Sequence, residues 1–166
     1  QKPYTSFPID EAIKTEAEMG AAMNGVYASM RGAAAWGRNL PVMGDLMADN
    51  VYISSLNSGR YLIQNAYSHT QASPEPADTW TAIYATIKNA NVVINSEIPA
   101  APGVDQLRGE ALTIRALSYF DLVRWFAKPF TVDPTAEGVP VILEFDQNAK
   151  LSRNTVSEVY DQIIAD

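Results

Sequence analysis

The chain contains no cysteine and a single histidine, His69. Disulfides, thiolate metal sites and a thiol nucleophile are therefore excluded, and a serine triad would have to be assembled around one loop residue with nothing pointing to it. Basic residues are scarce too: 12 Lys and Arg stand against 19 Asp and Glu, a formal net charge of -7. With no Lys/Arg cluster along the sequence, a nucleic-acid backbone is excluded as partner. Long apolar runs are missing, so no segment reads as a signal peptide or a membrane span. There is no phosphate-binding glycine loop, no dinucleotide fingerprint and no Asp/Glu spacing of the calcium-loop kind. Most acids fall at helix starts or on solvent-facing strips, so the sequence singles out no pair for paired-carboxylate hydrolysis, and a helical enzyme using loop carboxylates ranks below the binding readings. The sequence thus nominates no metal, no cofactor and no catalytic residue, and it reads as non-enzymatic.

What is present is apolar and periodic. Hydrophobic residues make up 47% of 166 positions, enough for one domain with a real core, and the expectation is a single helical domain over residues 1–166. Pro8 bars an early helix. Thr15-x-x-Glu18 is a capping box, and Met19, Met23, Val26, Tyr27 and Met30 follow at helical spacing over Glu16–Met30. Gly25 weakens that helix by about 1 kcal/mol relative to Ala, which suggests close approach by a neighbour. Pro41 opens a second, short helix. From Asp78 or Thr79, residues Trp80, Ile83, Tyr84, Ile87, Ala90, Ile94 and Ile98 form one stripe, with Asn91 inside it and therefore in need of partners. Pro99–Gly103 ends that helix and sets up a hairpin with the next. Thr155-x-x-Glu158, a second capping box, launches a last helix carrying Val156, Val159, Tyr160 and Ile163. The reading is all-α, tetratricopeptide-like stacked helix pairs with long connecting loops and no substantial sheet.

The helix between, Arg108–Phe126, is apolar over most of its circumference and so central to the fold. Arg115 lies inside its apolar sector. A buried Arg needs a partner, and the expectation is a structural ion pair with a carboxylate of the second short helix, Asp49 or Asp45.

The segment from Val51 to Pro76 has poor periodicity and is rich in Ser, Asn, Tyr and Gln, and long loops in compact domains are often functional. Trp36 sits in an earlier loop beside Arg38. Aromatic faces suit the apolar faces of sugar rings, and amide and guanidinium groups suit their hydroxyls. The ligand-binding candidates are accordingly Trp36, Arg38, Asn50, Tyr52, Asn57 and Arg60, with Tyr61 part of the same composition.

Five pieces in order carry a resemblance: the Ala22–Met30 segment, Asp49-Asn50, Trp80…Tyr84…Ile87-Lys88-Asn89-Ala90-Asn91, Gly109-Glu110-Ala111…Arg115-Ala116…Tyr119-Phe120…Leu122-Val123, and Arg153-Asn154-Thr155-Val156…Glu158-Val159-Tyr160…Ile163. Together they resemble the SusD/RagB family of nutrient-binding outer-membrane lipoproteins. Phe126-Ala127-Lys128-Pro129 departs from the Phe-Gly usual there. Members are longer and carry a lipid-attachment Cys, so the chain is expected to be the N-terminal helical part of one. The resemblance implies non-catalytic binding of an oligosaccharide or a peptide at the bacterial cell surface. It also implies delivery to a SusC-like TonB-dependent outer-membrane transporter, with membrane attachment only through an N-terminal lipid anchor not present in this chain. The alternative is a helical-repeat protein–protein adaptor without a small-molecule ligand, which a 34-residue repeat would favour.

Overall fold

A computed structural model describes residues 13–70, 72–144 and 151–166. The irregular opening around Pro8 lies outside them. Among the described residues six helices follow in order: α1 Glu16–Met30, α2 Asn39–Met47, α3 Leu62–Asn65, α4 Pro74–Ile94, α5 Pro102–Phe126 and α6 Val156–Ala165. The one β pairing among the described residues is an isolated bridge between Glu137 and Thr155, so the all-α expectation holds. Packing divides the chain into two compact units, Gln1–Tyr27 with Tyr84–Asp166, and Ala28–Ile83.

Both capping boxes form. Glu18 accepts from the Thr15 N–H at 2.9 Å while the Thr15 hydroxyl accepts from the Glu18 N–H at 3.2 Å. Thr155 and Glu158 repeat the exchange at 2.8 and 3.3 Å. Backbone N–H groups favour the ionised carboxylates, so Glu18, chiefly through Lys14, and Glu158, chiefly through Thr155, titrate below their ordinary value. A lowered folded-state pKa means that these caps stabilise above the usual carboxylate range and fade as pH falls through the folded values.

Three helices start earlier than the sequence reading has them. Helix α2 begins at Asn39, not Pro41, α4 at Pro74, not Asp78, and α5 at Pro102, not Arg108. In each case proline lies in the first turn, where the missing N–H has no intrahelical partner to lose. Helix α4 ends at Ile94, short of Ile98, so Pro102 and Gly103 open α5 instead of belonging to the connector.

The larger unit is built on α5, which buries Val104, Ala111, Ile114, Tyr119, Leu122 and Val123 together with Arg115. Arg115 is paired, but not with Asp49 or Asp45. Its Nε donates to Asp166 Oδ2 at 2.7 Å, its Nη2 donates to Asp166 Oδ1, and its Nη1 donates to Asn91 Oδ1 at 2.8 Å. The side chains of Arg115 and Asp166 are 6% and 2% exposed. Asp49 belongs to the smaller unit, is exposed, and accepts instead from the Tyr67 hydroxyl at 2.8 Å. Sequence spacing could not choose among acids so far apart along the chain.

Asn91, the polar residue inside the α4 stripe, also donates through Nδ2 to the Ile142 carbonyl at 2.8 Å. That bond is one of a set holding an extended strap, residues 138–143, which has no ladder partner along most of its length. Tyr119 Oη donates to the Ile142 carbonyl and accepts from the Ile142 N–H at 2.8 and 2.7 Å. Tyr84 donates to the Pro140 carbonyl, Asn95 to the Leu143 carbonyl, and Asn154 accepts from the Val141 N–H. A buried backbone must be satisfied somewhere, and here side chains do it. Burial pushes the Tyr119 phenol up to about 12 and the Tyr84 phenol further, so both stay protonated donors. Gly138 is required by close approach: a Cβ there would meet the Asn154 carbonyl oxygen at 3.0 Å.

Gly25 has no such excuse, because a Cβ there meets nothing within 4 Å. Among the described residues, the close helix contact expected at that position is absent.

Two outcomes follow for urea denaturation. Arg115→Ala and Asp166→Ala should each cost about 3–5 kcal/mol, the usual cost of stranding one member of a buried pair, whereas Asp49→Asn should stay within about 0.5 kcal/mol. Equal losses in all three would restore Asp49 as the partner. Gly25→Ala should raise stability by about 1 kcal/mol, and a loss would expose a contact at α1.

Candidate functional site

The smaller unit, Ala28–Ile83, holds the loops rich in aromatic and amide side chains. Its inner face is set by Ala35, Leu40, Met43, Leu46 and Ile83, all buried. Asn39, the first residue of α2, is also buried and donates through Nδ2 to Thr79 Oγ1 on α4 at 3.3 Å. Its Oδ1 accepts from the Tyr61 hydroxyl at 2.7 Å. This chain of bonds fixes Tyr61, whose backbone is left-handed at φ 58° just before α3. Such a conformation costs a non-glycine residue of order 1 kcal/mol or more and persists only where the surroundings enforce it.

The loop that leads to Tyr61 is shaped by Asn57. Its Oδ1 accepts from the N–H groups of Gly59 and Arg60 at 2.7 and 2.8 Å, an Asx-type turn. Gly59 follows at φ 89°, open to glycine but strained for other residues. Two left-handed positions within three residues fold the segment back on itself, and Arg60 leaves the turn between them.

The result is a half-open cavity of about 440 Å³, lined by residues 59–64 with Arg38 and Glu75. Its size lies in the range usual for small-molecule sites. The Arg38 guanidinium stands 5.9 Å from the centre of the Tyr61 ring, a cation–π contact that orients it. Gln64 is 2% exposed. Among the described residues, the buried polar side-chain atoms without a protein partner are Arg38 Nε, both amide atoms of Gln64, and Glu75 Oε2. Every one belongs to a residue lining this cavity. Buried polar atoms are paired in the great majority of cases, so their concentration in one concave place marks a surface made for a polar occupant.

Of the six candidates read from the sequence, Arg38 and Arg60 are brought together here. Asn57 stands behind them as the residue that shapes the turn. Asn50 donates to Asp45 at 3.4 Å instead, Tyr52 is 87% exposed, and neither lines the cavity; nor does the half-buried Trp36. Tyr67 also takes a left-handed backbone, at φ 51°, and its bond to the Asp49 carboxylate holds its phenol above the ordinary value. Gln64 and Glu75 escaped the sequence reading. The readable signal for Glu75 was Pro74-Glu75-Pro76, which marks the first turn of a helix rather than a loop.

Three comparisons bear on the chain. A SusD-like family model, described as "Starch-binding associating with outer membrane", matches residues 1–166. A SusD-like protein P2 of Formosa agariphila is 32% identical over 170 residues, covering 100% of this chain and 32% of that protein. A SusD superfamily protein of Bacteroides thetaiotaomicron superposes with a TM-score of 0.78 at 26% identity, over 91% of this chain and 35% of its own. Another, of Bacteroides fragilis, gives 0.81 at 25%, over 93% and 38%. The chain thus spans about one third of the length of these relatives. The helices correspond to the tetratricopeptide-like fold of these neighbours.

Tyr61→Phe should cost about 1–3 kcal/mol in urea denaturation, because it strips the buried Asn39 carbonyl of its donor. Tyr52→Ala should stay within about 0.5 kcal/mol. Similar effects at both positions would mean that the Asn39 chain does not hold the cavity wall.

Proposed function

The chain belongs to the SusD-like family, and from that premise we propose that it captures an oligosaccharide at the bacterial cell surface for delivery to a SusC-like TonB-dependent outer-membrane transporter. In this reading the protein has no reaction to catalyse. The observation that supports it best is the cavity of the smaller unit, where guanidinium, amide, carboxylate and aromatic groups converge on one concave surface. Sugar rings carry apolar C–H faces and hydroxyls that both donate and accept, and such a mixed lining suits them. The relatives fit the same class, since the matching family model is described by starch binding and outer-membrane association.

Arg38 and Arg60 lie just before α2 and α3, and Glu75 lies in the first turn of α4, so the recognition groups sit at the ends of helices that anchor them. Within the sequence-derived set, Arg38 and Arg60 act as ligand contacts and Asn57 as the residue that shapes the backbone turn carrying Arg60. Trp36, Asn50 and Tyr52 lie outside the cavity lining and are proposed as contacts for a ligand longer than one ring.

Calorimetric titration of the intact protein against a panel of oligosaccharides should give at least one Kd between about 1 μM and 1 mM. Arg38→Ala should weaken that Kd about tenfold or more, the loss of one charge-assisted hydrogen bond. A panel without any binder would overturn the reading, as would pull-downs from outer membranes that recover no TonB-dependent transporter.

A further inference from the structure

We propose that the cavity between Arg38, Arg60, Gln64 and Glu75 takes an acidic sugar, a pyranose bearing a carboxylate or a sulfate ester. This deepens the glycan reading above and rests on it. Three features of the cavity carry the inference.

The first is charge. The whole chain is acidic, at -7, so its general field repels anions. Yet two of its twelve basic residues line one cavity of about 440 Å³. Guanidinium groups are the side chains best matched to planar or tetrahedral oxyanions, because their donors form a fork.

The second is the pattern of unmatched atoms. Arg38 Nε and the Gln64 amide nitrogen are donors, while Gln64 Oε1 and Glu75 Oε2 are acceptors. A simple oxyanion would suit the arginines but would face the Glu75 carboxylate and leave the Gln64 carbonyl without a donor. A neutral sugar would supply hydroxyls to Glu75 and Gln64 but would leave two guanidinium charges with only neutral acceptors. A ring with hydroxyls at one end and an anionic group at the other matches both sets. The hydroxyls donate to Glu75 and Gln64, and the anion accepts from Arg38 and Arg60.

The third is preorganisation. Arg38 is held over the Tyr61 ring, Tyr61 is tied to the buried Asn39, and the backbone N–H of Arg60 is tied to Asn57. The Arg38 guanidinium and the backbone from which Arg60 projects are therefore placed before a ligand arrives, which reduces the ordering cost of binding. Glu75 is likewise fixed in the first turn of α4, where the helix dipole favours a carboxylate.

The test is calorimetry on the intact protein with three probes of equal length: an oligogalacturonate, a sulfated galactan oligosaccharide and a neutral galactan oligosaccharide. At least one acidic probe should bind about tenfold or more tightly than the neutral one at low salt, and the advantage should shrink in about 0.5 M NaCl as screening sets in. Which acidic probe wins distinguishes carboxylate from sulfate recognition. Arg60→Gln, at an exposed position, and Arg38→Lys, which keeps the charge but loses the fork, should each remove most of the acidic advantage while leaving the melting temperature unchanged. Equal affinity for all three probes would overturn the acidic-sugar assignment and leave glycan binding standing. Binding of none would overturn both readings. An acidic preference that survives both substitutions would place the site elsewhere on the protein and overturn this one.

Discussion

The larger unit depends on one buried charge. Arg115 sits in the apolar sector of α5, and its guanidinium is satisfied by the Asp166 carboxylate following α6 and by Asn91 on α4. Isolated burial of a guanidinium would be prohibitive, so these three groups must arrive together. The geometry extends outward from there. Asn91 uses its remaining donor on the Ile142 carbonyl, and Tyr119 brackets the same residue from α5. One ionic contact thus fixes the register of α4, α5, the strap and α6. Replacing it by apolar side chains could keep the stability of such a core, but it would remove a direction-dependent contact that favours this register over a neighbouring one.

The strap shows why irregular backbone can sit against a helical core without a sheet. Residues 138–143 lack ladder partners along most of their length, yet side chains of Tyr84, Asn91, Asn95, Tyr119 and Asn154 meet their carbonyl and N–H groups. Of these, Tyr84, Asn91 and Tyr119 occupy helix positions that a hydrophobic pattern would assign to Leu or Ile. Helices α4 and α5 are polar there for a reason that lies in the connector, not in the helices.

That explains what was legible in the sequence. Capping boxes at Thr15 and Thr155 work within four residues, and helical stripes work within one element, so both could be read from the sequence. Asn91 could be flagged as needing partners, because burial alone demands them. The identity of the partner of Arg115 could not be read, since Asp49 and Asp166 differ only in where the chain's path takes them. The site divides in the same way. Arg38 and Arg60 stand out by composition, as charges in aromatic and amide-rich loops. Gln64 lies in a helix of four residues with no period to read, and Glu75 lies between two prolines that imitate a loop. Their roles emerge only when Gly59 and Tyr61 turn the chain left-handed and bring both to one cavity.

The two units therefore treat polar groups in opposite ways, and the contrast is physical. In the larger unit the buried guanidinium, amides and phenols at the strap are matched to one another within the protein. In the smaller unit, Arg38, Gln64 and Glu75 keep buried atoms with no protein partner. An unmet buried donor or acceptor costs about 1–3 kcal/mol, so three such residues in one cavity persist only if something outside the chain meets them. Solvent can do so in the free protein. A solute that replaces solvent must then reproduce the same pattern of donors and acceptors, or it loses more than it gains. The constraint acts on selectivity more than on affinity: apolar solutes of the right size are rejected because they strand four polar atoms at once. A cavity built this way discriminates by hydrogen-bond pattern and charge, and the rigid turn from Asn57 to Tyr61 keeps that pattern from relaxing to fit the wrong guest.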